Sequence, residues 1–224
     1  MGALTRQRAA RFKKQARTQF DGWADTYDRS LLNHYMFRPS YLALMEEIAR
    51  WRAEHGGAFR LLDIGSGTGT LAGMLLRVGW PVTVVGLDYS PAMCARALAK
   101  LPPTTHGNRS MFTAGDSEHV PFASESFDVV ICANSFHHYP HQQAVLEEMR
   151  RVLRPGGRLI LIDGFRDNVV GWFVFDVIIA GVERSIRHAP WHEVHAGFEQ
   201  AGLRNIRRRK LGLLFPLVAT IGDA

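Results

Sequence analysis

A chain of 224 residues that is 46% hydrophobic and 21% charged can fold as one domain, with a core that needs neither disulfide nor metal staples. Only two cysteines occur, Cys94 and Cys132, which excludes a disulfide scaffold and suits a reducing cytoplasm with both thiols buried. The net charge of +6 sits at the ends: Arg6, Arg8, Arg11, Lys13, Lys14 and Arg17 lie in the first 20 residues, and Arg204, Arg207, Arg208, Arg209 and Lys210 in 204–210, with no acid in either stretch. Those eleven cations leave −5 on the rest. Such ends could meet anionic lipid, nucleic acid or an acidic carrier protein; the plainer reading is solvated termini.

No apolar run near the start resembles a signal peptide, and Arg6 breaks a myristoylation pattern. The longest apolar stretch, 169–182, is interrupted by Gly171, Asp176 and Gly181, and falls short of the roughly 20 residues a membrane span needs. A soluble cytoplasmic protein is the expectation.

Residues 5–32 read as helix, with Phe12, Phe20, Trp23 and Tyr27 as apolar contacts, and a second helix runs from 39 to 51 with Pro39 in its first turn. Gly56-Gly57 closes this portion. Strands are expected at 59–64, 82–87, 110–114, 127–133 and 158–163, and helices at 71–78, 91–100 and 142–153. Pro155-Gly156-Gly157 reads as a tight turn, 191–201 as a helix closed by Gly202, and 203–210 and 213–219 as final strands. Alternation of this kind implies an α/β fold, a mostly parallel sheet with helices on both faces. Ligands of such sheets bind beyond the carboxyl ends of the strands.

Three strand ends then carry the chemistry. After the first strand stands Asp63-Ile64-Gly65-Ser66-Gly67-Thr68-Gly69, whose alternate glycines leave backbone bare for close approach of a nucleotide-like ligand. No Gly-Lys-Ser/Thr follows, so it is not a phosphate-binding P-loop, and G-x-G-x-G differs from the dinucleotide fingerprint. Asp63 would repel a pyrophosphate and suits a cationic amino group, which favours a sulfonium amino-acid nucleoside. Asp88 closes the second strand, where an acid can accept both hydroxyls of a ribose. Asp116, followed by Ser117, is placed to accept from an exocyclic amino group such as adenine's.

With these pieces the chain resembles the class I S-adenosylmethionine-dependent methyltransferases, and more narrowly the group containing the ubiquinone and menaquinone biosynthesis methyltransferases. The matching segments lie at 20–28, 62–69, 86–90, 115–122, 127–130 and 153–157. The resemblance implies a Rossmann-like seven-stranded sheet, mostly parallel, with its last strand antiparallel. It implies S-adenosyl-L-methionine as cofactor and S-adenosyl-L-homocysteine as product. It assigns Asp63, Gly65, Ser66, Gly67, Gly69 and Asn134 to the methionine end, Asp88 to the ribose, and Tyr89, Met93, Asp116 and Ser117 to the adenine, with Tyr27 helping to close the site. One domain over 1–224 would then comprise a helical cover (1–57), a donor-binding core (58–163), an apolar lid insertion (164–190) and a C-terminal helix and strands (191–224).

Methyl transfer needs alignment, exclusion of water and, for some acceptors, a base. His137 or His138, directly beyond the fourth long strand, is the candidate base. His188, His192 and His195 lie close together without a convergent third ligand, so no metal site is expected. The apolar 165–187 stretch could roof an acceptor pocket, pointing to a small apolar or aromatic acceptor. Two other classes stay open: a nucleic-acid methyltransferase, which only the basic ends favour, and a non-catalytic donor-binding protein. The basic N-terminal stretch could touch an anionic membrane.

Overall fold

In the computed structural model, which describes residues 6–24, 28, 31–101, 104–105, 108–164, 189–211 and 217–224, the expected alternation closes into one twisted sheet. The strands are β1 (Phe59–Ile64), β2 (Val82–Asp88), a two-residue β3 (Thr104–Thr105), β4 (Asn108–Ala114), β5 (Phe127–Ala133), β6 (Leu153–Gly164), β7 (Arg204–Leu211) and β8 (Leu217–Asp223). Their order is β3-β4-β2-β1-β5-β6-β8-β7. β4, β2, β1, β5 and β6 are parallel, while β8 pairs antiparallel with both β6 and β7. The seven long strands match the expected architecture, and the chain's last strand is the one inserted in the opposite sense.

The helices are α1 (Arg6–Trp23), α2 (Leu31–His55), α3 (Thr70–Val78), α4 (Pro91–Lys100), α5 (Gln142–Val152) and α6 (Trp191–Gln200). Alternation along each strand sends side chains into two cores. Leu61, Val84 and Ile160 pack against Leu44, Ile48 and Trp51 of α2, Leu75 of α3 and Ala97 of α4. Leu62, Val85 and Val130 pack on the other face against Met149 of α5 and Phe198 of α6. Both cysteines are free and buried, one in α4 and one in β5.

Local chemistry sets the ends that matter for the site. Ser90 caps α4, its Oγ accepting from the Met93 N–H at 3.1 Å, and Pro91 takes the first helical position where no N–H is needed. Gly69 caps α3 at φ +71 and leaves no room for a side chain, because a Cβ there would press on Phe112, Ala97 and Leu101.

The N-terminal portion differs from expectation. α1 stops at Trp23, and α2 begins at Leu31, eight residues before the proline expected in its first turn. Pro39 is therefore inside a helix, at a cost of about 3 kcal/mol. Burial of Leu44 and Ile48, both 0% exposed, offsets this at roughly 1.5–3 kcal/mol each. At the other end β6 begins at Leu153 and runs through Pro155-Gly156-Gly157, with a register shift between Phe127 and Val129 of its partner. β8 lies four residues later than the expected 213–219 strand. Residues 165–187, the expected lid, and Tyr27 lie outside the described residues.

The basic run of β7 is largely answered within the molecule. Arg207 pairs with Glu47 at 2.6 Å, Arg209 with Glu46, and the Arg208 guanidinium lies 4.2 Å from the Trp191 ring centroid.

Candidate active site

Beyond the carboxyl ends of β1, β2, β4 and β5 lies a cleft of about 1000 Å³, partly open to solvent. Its floor is Gly65, Ser66, Gly67 and Thr68 from the loop after β1, and Asp88 and Tyr89 from the end of β2. Asp116 and Ser117 come from the end of β4, Asn134 and Ser135 from the end of β5, and Met93 from α4.

The loop is held by its neighbours. Gly65 N–H donates to the Leu87 carbonyl at 2.8 Å, and Gly67 N–H donates to Asp88 Oδ2 at 2.8 Å. Asp88 Oδ1 accepts from Ser90 N–H at 2.8 Å. Gly65 cannot be larger, since a Cβ would collide with the Ser135 hydroxyl and with Tyr139. Gly67 is the opposite case: its φ is +52, and nothing lies within 4 Å of where a Cβ would stand. Bare backbone thus faces open space at the centre of the loop, as a closely approaching ligand requires.

The carboxylates are electrostatically poised. Asp63, 4% exposed, is pushed up to about 7, first by burial and then by the charge of Asp88. Burial likewise raises Asp88, against the lowering effect of the Ser90 and Gly67 N–H groups. A buried acid left partly protonated at neutral pH is a group that a nearby cation would ionise.

The lining also has an apolar part. Phe37 and Tyr41 of α2, Ala133, and Phe20 of α1 form it together with His138. The Phe20 and His138 rings meet edge to face, centroids 4.9 Å apart. Asn134, at φ +53, sits where the left-handed region favours Asn over bulkier residues. Its Oδ1 accepts from the Ser40 hydroxyl of α2 at 3.1 Å.

Most of the residues expected at the site are thus brought together. Asp63 and Gly69 are the exceptions within the donor set: Asp63 is buried behind the cleft wall, and Gly69 faces the α4 side. The two histidines separate. His138 lines the cleft, whereas His137 is turned to Asp163, Nδ1 to Oδ1 at 2.6 Å, with its backbone N–H on Oδ2 at 2.8 Å. Residues 136–138 form one short turn, so the rings remain 4.1 Å apart.

The structure gives α1 a definite face. Lys13, Ala16, Arg17 and Phe20, at helical spacing i, i+3, i+4 and i+7, all line the cleft. Their spacing was visible in the sequence; their target was not. Asp21 further accepts from the Ser90 hydroxyl at 2.5 Å. Asp28 accepts from the Thr68 hydroxyl at 2.6 Å and from Lys100 at 2.9 Å, tying this segment to the glycine loop. Among the described residues no cluster of His, Cys, Asp or Glu could hold a metal ion, and no helix is long and apolar enough to cross a membrane.

Comparison with known proteins shows what the chain is similar to. Residues 62–161 match the family model described as a methyltransferase domain. The chain is similar to the ubiquinone/menaquinone biosynthesis C-methyltransferase of Syntrophotalea carbinolica, 34% identical over 153 residues that make up 67% of this chain and 61% of the relative. It is similar also to the phthiotriol/phenolphthiotriol dimycocerosates methyltransferase of Mycobacterium leprae, 40% identical over 120 residues, 52% of this chain and 42% of the relative. It therefore spans only part of the length of these curated relatives. In fold it is like the magnesium protoporphyrin IX methyltransferase of Synechocystis PCC 6803, at a TM-score of 0.74 and 17% identity, over 95% of this chain and 100% of that one. Residues 62–161 thus carry a methyltransferase domain, in a chain similar to the ubiquinone/menaquinone biosynthesis C-methyltransferases.

Proposed function

We propose that the protein methylates a small apolar or aromatic acceptor. The observation that carries this is the mixed lining of the cleft: bare loop backbone and acids together with Phe20, Phe37, Tyr41, Ala133 and His138. The open space over Gly67 and the ribose-competent carboxylate of Asp88 suit S-adenosylmethionine. Bound there, S-adenosylmethionine supplies an electrophilic methyl group on a positively charged sulfur.

In this reading Asp88 accepts from the ribose hydroxyls while it anchors the Gly67 N–H. Asp116 accepts from the adenine amino group, with the Ser117 backbone on the ring edge and Met93 and Tyr89 against its faces. Asp63 supplies negative charge behind the methionine end, and Asn134, held by Ser40, contacts it. The apolar wall excludes water and orients the acceptor. His138 is placed to take the proton that the acceptor loses, and the Asp163–His137 pair fixes the turn that carries it.

Relatives named for ubiquinone/menaquinone biosynthesis and for phthiotriol dimycocerosates support an apolar acceptor. The test is turnover with methyl-labelled donor on a panel of reduced quinones, phenols, long-chain alcohols, polar amines and RNA. Label in an organic-extractable product from the first three groups is expected. Label confined to RNA or polar amines would overturn the acceptor class, and donor binding without label in any product would favour a binding protein.

A further inference from the structure

The ammonium of Lys13 is shared between two acids. It reaches from α1 to two carboxylates at the end of β4, 2.6 Å from Asp116 Oδ2 and 2.8 Å from Glu118 Oε2. None of the three side chains is freely solvated, with exposures of 16%, 28% and 10% for Lys13, Asp116 and Glu118. A surface ion pair of one cation and one anion is worth little. Here one cation lies between two acids, and the more buried acid, Glu118, also pairs through the same oxygen with His141 Nδ1, at 3.0 Å. Its Oε1 has no hydrogen-bond partner among the described residues.

We propose that Lys13 is a positioning residue for the purine end of the donor site, holding Asp116 in the orientation that accepts an amino group. This rests on the assignment of Asp116 to the adenine amino group. Asp116 is fixed from two directions. Its Oδ1 accepts from Glu118 N–H at 3.0 Å, and its Oδ2 accepts from Lys13. An ionised carboxylate has about four lone-pair sites, so acceptance of one N–H and one ammonium leaves capacity for an amino hydrogen. Without Lys13, two like charges two residues apart would face each other, and Asp116 would turn away from Glu118 and out of register with the purine. Lys13 also stands on the helical face whose next turns carry Arg17 and Phe20 along the same cleft. One residue therefore joins the purine-reading acid to the helix that roofs the site.

Selectivity tests this better than affinity alone. S-adenosylhomocysteine carries a 6-amino group, and S-inosylhomocysteine a 6-oxo group that a carboxylate repels. Calorimetry on the wild-type protein is expected to show a preference of at least about tenfold for the amino compound. K13M is expected to lose about tenfold in affinity for S-adenosylhomocysteine with little change for S-inosylhomocysteine, so the preference collapses. K13R should retain the preference. K13Q, which keeps a donor without the charge, provides a second readout should K13M melt early. An unchanged preference in K13M and K13Q would overturn the inference, as would an equal loss for both ligands, which marks a merely structural helix contact. A wild-type protein that binds both compounds alike would overturn the adenine assignment and this inference with it; wild-type preference with silent Lys13 variants would overturn this inference alone.

Discussion

Donor affinity should depend on pH through Asp63, and the size of the effect follows from its environment. Burial and the Asp88 charge push Asp63 up to about 7. Its ionised fraction is then about one tenth at pH 6.0 and three quarters at pH 7.5. If the protonated amino group of the ligand binds only the ionised form, apparent affinity for S-adenosylhomocysteine rises about eightfold over that interval, roughly 1.2 kcal/mol. Binding at pH 6.0 should release close to one proton, which calorimetry in buffers of different ionisation enthalpy counts directly. Asp63→Asn should bind more weakly at pH 7.5 and with a nearly flat pH profile. For the ligand-free protein the sign is opposite. A folded-state value raised above the ordinary 3.8 gives stability that is fully present below 3.8 and lost as pH rises toward 7, up to about 4 kcal/mol. Asp63→Asn should therefore raise the melting temperature more at pH 8 than at pH 5. A wild-type affinity that is flat from pH 6.0 to 7.5, or an Asn variant as steep as wild type, would refute the reasoning.

Asp88→Ala should weaken S-adenosylhomocysteine by about 1.5–3 kcal/mol for each ribose hydrogen bond lost, with additional loosening of the loop that Asp88 anchors through Gly67; unchanged affinity in calorimetry would sink the ribose assignment. Gly67→Val should fold, because the space above Gly67 is open, at a strain cost of about 1–2 kcal/mol from its positive φ, yet fail to bind donor. A variant that binds normally would make the loop only a turn. Once the acceptor is known, His138→Ala should lower turnover by about 10²–10⁴ with product affinity intact, while near-normal turnover would mean that the acceptor needs no base. Hydrogen exchange should slow in α1 on addition of S-adenosylhomocysteine while β1 and β5 change little; an unresponsive α1 would argue that this helix is fixed packing.

The donor side was legible because its signals are local. Ser90-Pro91 announces a capped helix, the glycines after Ile64 announce bare backbone, and Asp88 and Asp116 fall at strand ends that β-branched and apolar runs delimit. The helical cover over the site was much less so. Lys13 meets Asp116 across 103 residues, and Phe20 meets His138 only because α1 lies over the sheet. Spacing along α1 could mark a face, but nothing in the sequence says what that face covers. The two histidines were indistinguishable in the sequence, since only Asp163, at the far end of β6, turns one of them away. At the far end of β8, Gly222 is a strand residue kept small by Phe198 and Leu203, with a Cβ landing 2.9 and 3.2 Å from them.

The insertion of β8 between β6 and β7 also bears on synthesis. β6 pairs with residues 217–223 over its last seven residues, from Gly164 against Leu217 to Arg158 against Asp223. While the ribosome is still making residues up to 216, β1 to β6 can already assemble, and the newborn sheet then presents an unpaired apolar strand, Leu159–Ile162. Such an edge invites another chain. The nascent protein is thus most vulnerable to aggregation in the interval before its last strand emerges, and a chain broken off in that interval would be a client for chaperones even though its donor loop was complete.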